Sequence, residues 1–178
     1  VTLTGPAPAG GAVVMLSSSN TTAAQVPVSV TVAPNATTAT FAVTTGSVTS
    51  NTSLTISATY GATQNAGFTV VAVVLNSITL SPIPVLGGNS TTGTVTLSSP
   101  APAGGAVVTL SSNKTAVAQV PSSVTVAANA TTATFTVTTS PVASNTAVTI
   151  SGTYNATRTV SFTVTAAVLS TIALSPTP

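Results

Sequence analysis

The chain has 178 residues, a formal charge of +2, and no Asp, Glu, His, Cys or Trp. Its charged side chains are Lys114 and Arg158 alone. This composition excludes a general acid–base pair near neutral pH and the usual side-chain ligands of zinc and calcium. No catalytic, cofactor-binding or metal residue is assigned, and the chain is expected not to be an enzyme.

Thr, Ala, Val and Ser supply 39, 28, 27 and 23 residues. The sequence pI of about 9.7 comes from two isolated cations. These cannot form the Lys/Arg stripe that displaces counterions, so nucleic acid is not an expected partner. The longest apolar run, Val70 to Leu75, is far short of the ~20 residues that span a bilayer as a helix. No transmembrane segment is expected. A near-neutral surface promotes association, so hydroxyls, attached sugar or neighbouring molecules must cover it.

In chain order, Val1-Thr2-Leu3 opens a pattern that returns as Val95-Thr96-Leu97, and the offset of 94 then holds without a gap. Residues 1–84 align on 95–178 with 57 identities and 27 differences. This is tandem duplication of a unit of about 94 residues. Within it, short alternating runs of Val, Thr, Ile and Phe are broken by Gly, Pro, Asn and Ser, which predicts strands rather than helices.

Seven strands are predicted in the second unit. Ile78 and Leu80 share one face of the first, which ends near Pro82. The second is Thr94 to Ser98, with Val95 and Leu97 inward. After the Pro100–Gly105 turn, Ala106, Val108 and Leu110 face in. The fourth holds Ala118 and Val120 and continues past Pro121 through Val124 and Val126. Ala133, Phe135 and Val137 then face in from Thr132 to Thr138. A strand with Val148, Ile150 and Tyr154 follows, and Arg158 to Thr165 closes the unit with Val160, Phe162 and Val164. Seven such strands at turn spacings of about 8–12 residues predict an immunoglobulin-like β-sandwich without the Cys…Trp…Cys staple. The expected fold class is therefore all-β, as tandem immunoglobulin-like β-sandwiches. A β-solenoid would show a shorter repeat, which is absent.

The run Gly104-Gly105-Ala106-Val107-Val108-Thr109-Leu110-Ser111-Ser112-Asn113, then Val117 to Val126, Ala133 to Val137 and Val148 to Ser151, resembles the tandem Ig-like repeats of large secreted prokaryotic surface proteins. The resemblance covers the chain twice. It implies an extracellular or cell-surface location and a part in stalks, adhesins or extracellular fibres. The lack of acidic residues departs from the calcium-stiffened linkers of many such arrays.

The expected organisation is a sandwich lacking its first strand over 1–73, a complete one over 74–167, and a further first strand over 168–178. Leu169 to Pro176 matches Leu75 to Pro82. Two readings stay open. The chain is an excerpt of a longer array, or Ile172 and Leu174 lie on a donor strand that completes the first unit of the next copy. Strand addition of that kind uses main-chain hydrogen bonds and alternate side-chain pockets, and the partner is then another copy, head to tail. The expected function is a structural repeat of a filament or stalk, with an adhesive or glycan-binding module as the alternative.

Seven asparagines stand in Asn-x-Ser/Thr: Asn20, Asn35, Asn51, Asn89, Asn113, Asn129 and Asn155. They are candidate N-glycosylation acceptors, although asparagine also suits turns because it tolerates left-handed backbone. Tyr60 and Tyr154 recur at one place in both units and are expected to cap the core. Thr132, Thr134, Thr136 and Thr138 form an outward row, which a twisted sheet does not make into a flat ice-binding array.

Overall fold

The computed structural model describes residues 1–174, and its regular elements there are all β-strands, with no helix. The chain divides into two compact units, Val1–Ala72 and Val73–Pro178. The first contains β1 (Ala12–Ser18), β2 (Ala24–Gln25), β3 (Ser29–Val32), β4 (Thr44–Thr45), β5 (Thr52–Tyr60) and β6 (Ala62–Val70). The second contains β7 (Leu75–Ser81), β8 (Val85–Leu86), β9 (Ser90–Leu97), β10 (Ala106–Ser112), β11 (Ala118–Gln119), β12 (Ser123–Val126), β13 (Thr132–Thr139), β14 (Thr146–Tyr154) and β15 (Ala156–Thr165).

In the second unit one sheet runs β12-β10-β14-β15-β8 and the other β11-β13-β9-β7. Alternation puts Ala106, Val108 and Leu110 of β10 inside and Val107, Thr109 and Ser111 outside, as the two-residue strand period requires. Leu75, Ile78, Val95, Phe135 and Val137 from one sheet meet Val108, Val126, Val148, Ile150, Phe162 and Val164 from the other in a single core. Each large side chain buried there stabilises the unit by about 1.5–3 kcal/mol. The outer face is tied by hydroxyl pairs, such as Thr153 Oγ1 to Thr157 Oγ1 at 2.9 Å and Thr149 Oγ1 to Ser161 Oγ at 2.9 Å.

Two loops explain conspicuous residues of the repeat. Gly105 has φ +75°, and a Cβ there would lie 3.0 Å from the Val126 carbonyl oxygen. Asn129 has φ +64°, and its N–H donates to the Ala101 carbonyl at 3.0 Å while the Ala101 N–H donates to Ala130 at 2.8 Å. The first unit repeats this arrangement with Asn35 at φ +62° and Ala7.

Three details depart from the predicted strands. The segment read as one strand from Ala118 to Val126 is two: β11 pairs with β13, while β12 pairs with β10 in the other sheet. Pro121, between them, has no N–H to continue a ladder, and the chain crosses sheets there. The second predicted strand begins at Ser90 rather than Thr94. The short β8, which the pattern did not signal, pairs parallel to β15 with Val164 opposite Val85.

The first unit differs from its repeat. Its larger sheet runs β3-β1-β5-β6, and β2 and β4 form a two-stranded sheet. Residues 132–138 are strand throughout in β13, but among their counterparts 38–44 only Thr44 lies in a strand, with one isolated bridge between Thr2 and Thr38. The reason is the ladder. In β13, Thr134 to Thr138 lie opposite Thr94 to Ser90, and those partners have no counterpart in residues 1–72. The core divides accordingly into one cluster with Val14, Leu16 and Val32 and another with Leu54, Ile56 and Val70, with half-buried Phe41 touching both. Val43 is 40% exposed where Val137 is fully buried.

Candidate functional site

β7 pairs antiparallel with β9, placing Leu75 opposite Leu97, Ser77 opposite Thr96 and Ile78 opposite Val95. Its apolar residues Leu75, Ile78 and Leu80 are buried. Ile78 reaches across to β14, where its Cδ1 would lie 2.7 Å from a Cβ placed on Gly152.

In the first unit the same place is open. Val1, Thr2, Leu3, Val14, Ala58 and Tyr60 line a hollow of about 120 Å³. By the 94-residue offset these are the counterparts of Val95, Thr96, Leu97, Val108, Gly152 and Tyr154. The register agrees, since Leu16 lies opposite Ala58 as Leu110 lies opposite Gly152. Tyr154 packs against the core of its unit, whereas Tyr60 is 46% exposed at the rim of the hollow. The capping role expected of both tyrosines therefore differs between the units.

The segment that matches β7 lies near the other end of the chain. Val168, Leu169, Ile172 and Leu174 are 84–90% exposed and belong to no strand. Superposing the repeats by register puts Leu169 opposite Leu3, Thr171 opposite Thr2 and Ile172 opposite Val1. The remainder of the expected donor segment, 175–178, lies outside the described residues.

Of the sequon asparagines, Asn35, Asn51, Asn89, Asn113, Asn129 and Asn155 are exposed and Asn20 is half-buried. Most have a backbone task. Oδ1 of Asn20 accepts from the Ala23 N–H at 3.1 Å, Oδ1 of Asn51 from Ala72 at 3.0 Å, and Oδ1 of Asn113 from Thr149 at 2.9 Å. Asn155, at φ +53°, turns the chain between β14 and β15 and donates Nδ2 to the Val73 carbonyl at 2.8 Å. The exposed Arg158 guanidinium donates Nε to the Asn76 carbonyl at 2.9 Å. Lys114 is exposed as well. Nothing in the sequence signalled that the Ala58/Gly152 difference, one of 27 between the repeats, sits on the floor of this hollow.

No protein-family model and no curated protein matches the chain. Among solved structures, the chain is similar to the D0-D1 domain of Intimin at 16% identity, over 91% of this chain and 86% of that one, with a TM-score of 0.40. It is similar to the S-layer protein rSbsC(31-844) at 22% identity and a TM-score of 0.40, over 96% of this chain and 22% of that one. Domains 4–9 of the surface layer protein SbsC match at 22% identity and a TM-score of 0.39, over 97% of this chain and 24% of theirs. The chain thus spans about a quarter or less of the two S-layer chains.

Proposed function

We propose that this chain is a non-enzymatic structural module of the cell surface or extracellular space. Its repeats are immunoglobulin-like sandwiches of about 94 residues, and one copy completes the next by donating the strand around Leu169–Leu174. The observation that carries this reading is a pairing of opposites. On one side, Leu169, Ile172 and Leu174 are exposed. The first unit leaves open the hollow whose counterpart β7 fills with Leu75 and Ile78.

Burying those three side chains removes apolar surface from water, and the added strand pairs with the edge of Val1–Leu3 that faces away from Thr37–Ala39. The two patches differ, so the contact is head-to-tail and propagates as a filament. Composition supports a mechanical role, because neither unit contains a carboxylate, imidazole or thiol to activate a nucleophile or bind a metal. Covalent sugar on the exposed sequon asparagines is a compatible cover for a surface with almost no charge.

Sedimentation and electron microscopy of the full chain, beside a variant ending at Val168, test this. The full chain is expected to form concentration-dependent linear assemblies and the shortened chain to stay monomeric. Assembly that survives the removal of 169–178, or a full chain that stays monomeric at millimolar concentration, overturns strand donation.

A further inference from the structure

The floor of a strand-accepting hollow decides how large a side chain the incoming strand can carry. In the second unit that floor is glycine. A Cβ on Gly152 would lie 2.7 Å from Ile78 Cδ1 and 3.2 Å from the Cδ2 atoms of Leu110 and Leu75. Carbon atoms do not approach to 2.7 Å without displacement, so Gly152 is the residue that admits isoleucine at this register. The first unit has the methyl group in place. Ala58 is half-buried, packs against the Val14–Leu16–Val32 cluster and lines the hollow.

We propose that position 58/152 is the size selector for the incoming strand, and that Ala58 makes the first unit a weaker acceptor for an isoleucine-bearing strand than the second unit is for its own β7. This rests on the strand-donation reading, and its occupant is the Leu169–Leu174 segment of a second copy. Ile172 falls at the register of Ile78, so its Cδ1 is the atom that meets the Ala58 methyl. The tip of an isoleucine can rotate away, so the strand still enters, at a cost in affinity. Valine lacks that atom and fits without adjustment. The junction between copies is thereby tuned below the strand contact inside a unit. The internal strand stays put while copies exchange.

The test combines two cycles of variants in the full chain. In the first, self-association is measured for wild type, A58G, I172V and A58G/I172V. Relief of one overpacked methyl raises the association constant about tenfold in each single variant. The double variant gains no more than the better single one, because either change removes the same clash. Additive gains, or none, in chains that do associate overturn the selector.

The second cycle stays inside the complete unit and needs no assembly. Hydrogen exchange is followed at the β14 amides of Ile150 to Thr153 in G152A, I78V and G152A/I78V. G152A is expected to accelerate exchange about tenfold, and adding I78V to recover most of that protection although I78V alone accelerates it. A G152A chain that I78V does not rescue overturns the selector even if copies assemble. Rescue by I78V in chains that never assemble supports size selection at Gly152 within its own unit and refutes strand donation, and with it the acceptor role of Ala58.

Discussion

The ring of Phe135 occupies the space that a side chain on Gly93 would need, and the two residues are direct partners across β13 and β9. Glycine at 93 is therefore what lets Phe135 sink to 6% exposure. Phe41, the same residue one repeat earlier, has no such partner and stays half-buried. The substitution G93A should destabilise the second unit by about 1–3 kcal/mol, the usual cost of overpacking a core. Denaturant unfolding with a probe in that unit checks this, and an unchanged midpoint would show that the ring moves aside freely.

Asn129 sits at φ +64° for the sake of the loop that buries Ala101. N129A should cost about 1–2 kcal/mol, because a Cβ with no compensating local hydrogen bond disfavours left-handed backbone. N129G should stay within about 0.5 kcal/mol of wild type, since glycine adopts that conformation freely. Thermal unfolding of the pair distinguishes backbone conformation from side-chain chemistry. N129G also removes the sequon while keeping the fold, so a mass below that of wild type by more than the substitution itself, in material from the native host, would report a glycan at this site.

Thr139 is buried, donates Oγ1–H to the Asn89 carbonyl at 2.6 Å and accepts the Gly88 N–H at 3.2 Å. T139V should cost about 0.5–1.5 kcal/mol by removing the hydroxyl's bonds to Asn89 and Gly88. Its repeat counterpart Thr45 is exposed, and T45V should change stability by less than about 0.5 kcal/mol. Equal effects of the two substitutions, measured by urea midpoint, would contradict the burial difference.

With no Asp, Glu or His, unfolding neither binds nor releases side-chain protons across the acid range. Stability should be nearly flat from about pH 2 to pH 8, because the slope of stability against pH is the difference in protons bound by the two states. Melting temperatures in low salt across this range test it, and a sharp acid transition would refute it.

Much of the strand content was legible because the strand period is local. Val108 and Val107 differ in burial by the alternation alone, and predicted inward residues such as Val95, Leu97, Phe135, Val137, Ile150 and Val164 are all buried. What escaped was set by residues distant in sequence. Val85 and Leu86 carry no pattern of their own and become strand only because β15 runs beside them. The floor position 58/152 is an unremarkable Ala/Gly difference until Ile78, 74 residues away from Gly152, is seen to need the room.

Composition and repetition alone determined that this chain has no Asp, Glu, His or Cys side chain, that its sequence repeats at an offset of 94 residues, and which faces of its strands are apolar. Those properties are read from residue identities along the chain, so they survive without a fold. Tertiary structure decided whether a stretch becomes a strand at all. Residues 38–44 and 132–138 are nearly the same sequence, yet only the second forms a full ladder. A strand's hydrogen bonds are made by another segment of chain. The same residues are therefore β beside Ser90–Thr94 and irregular where that partner has no counterpart.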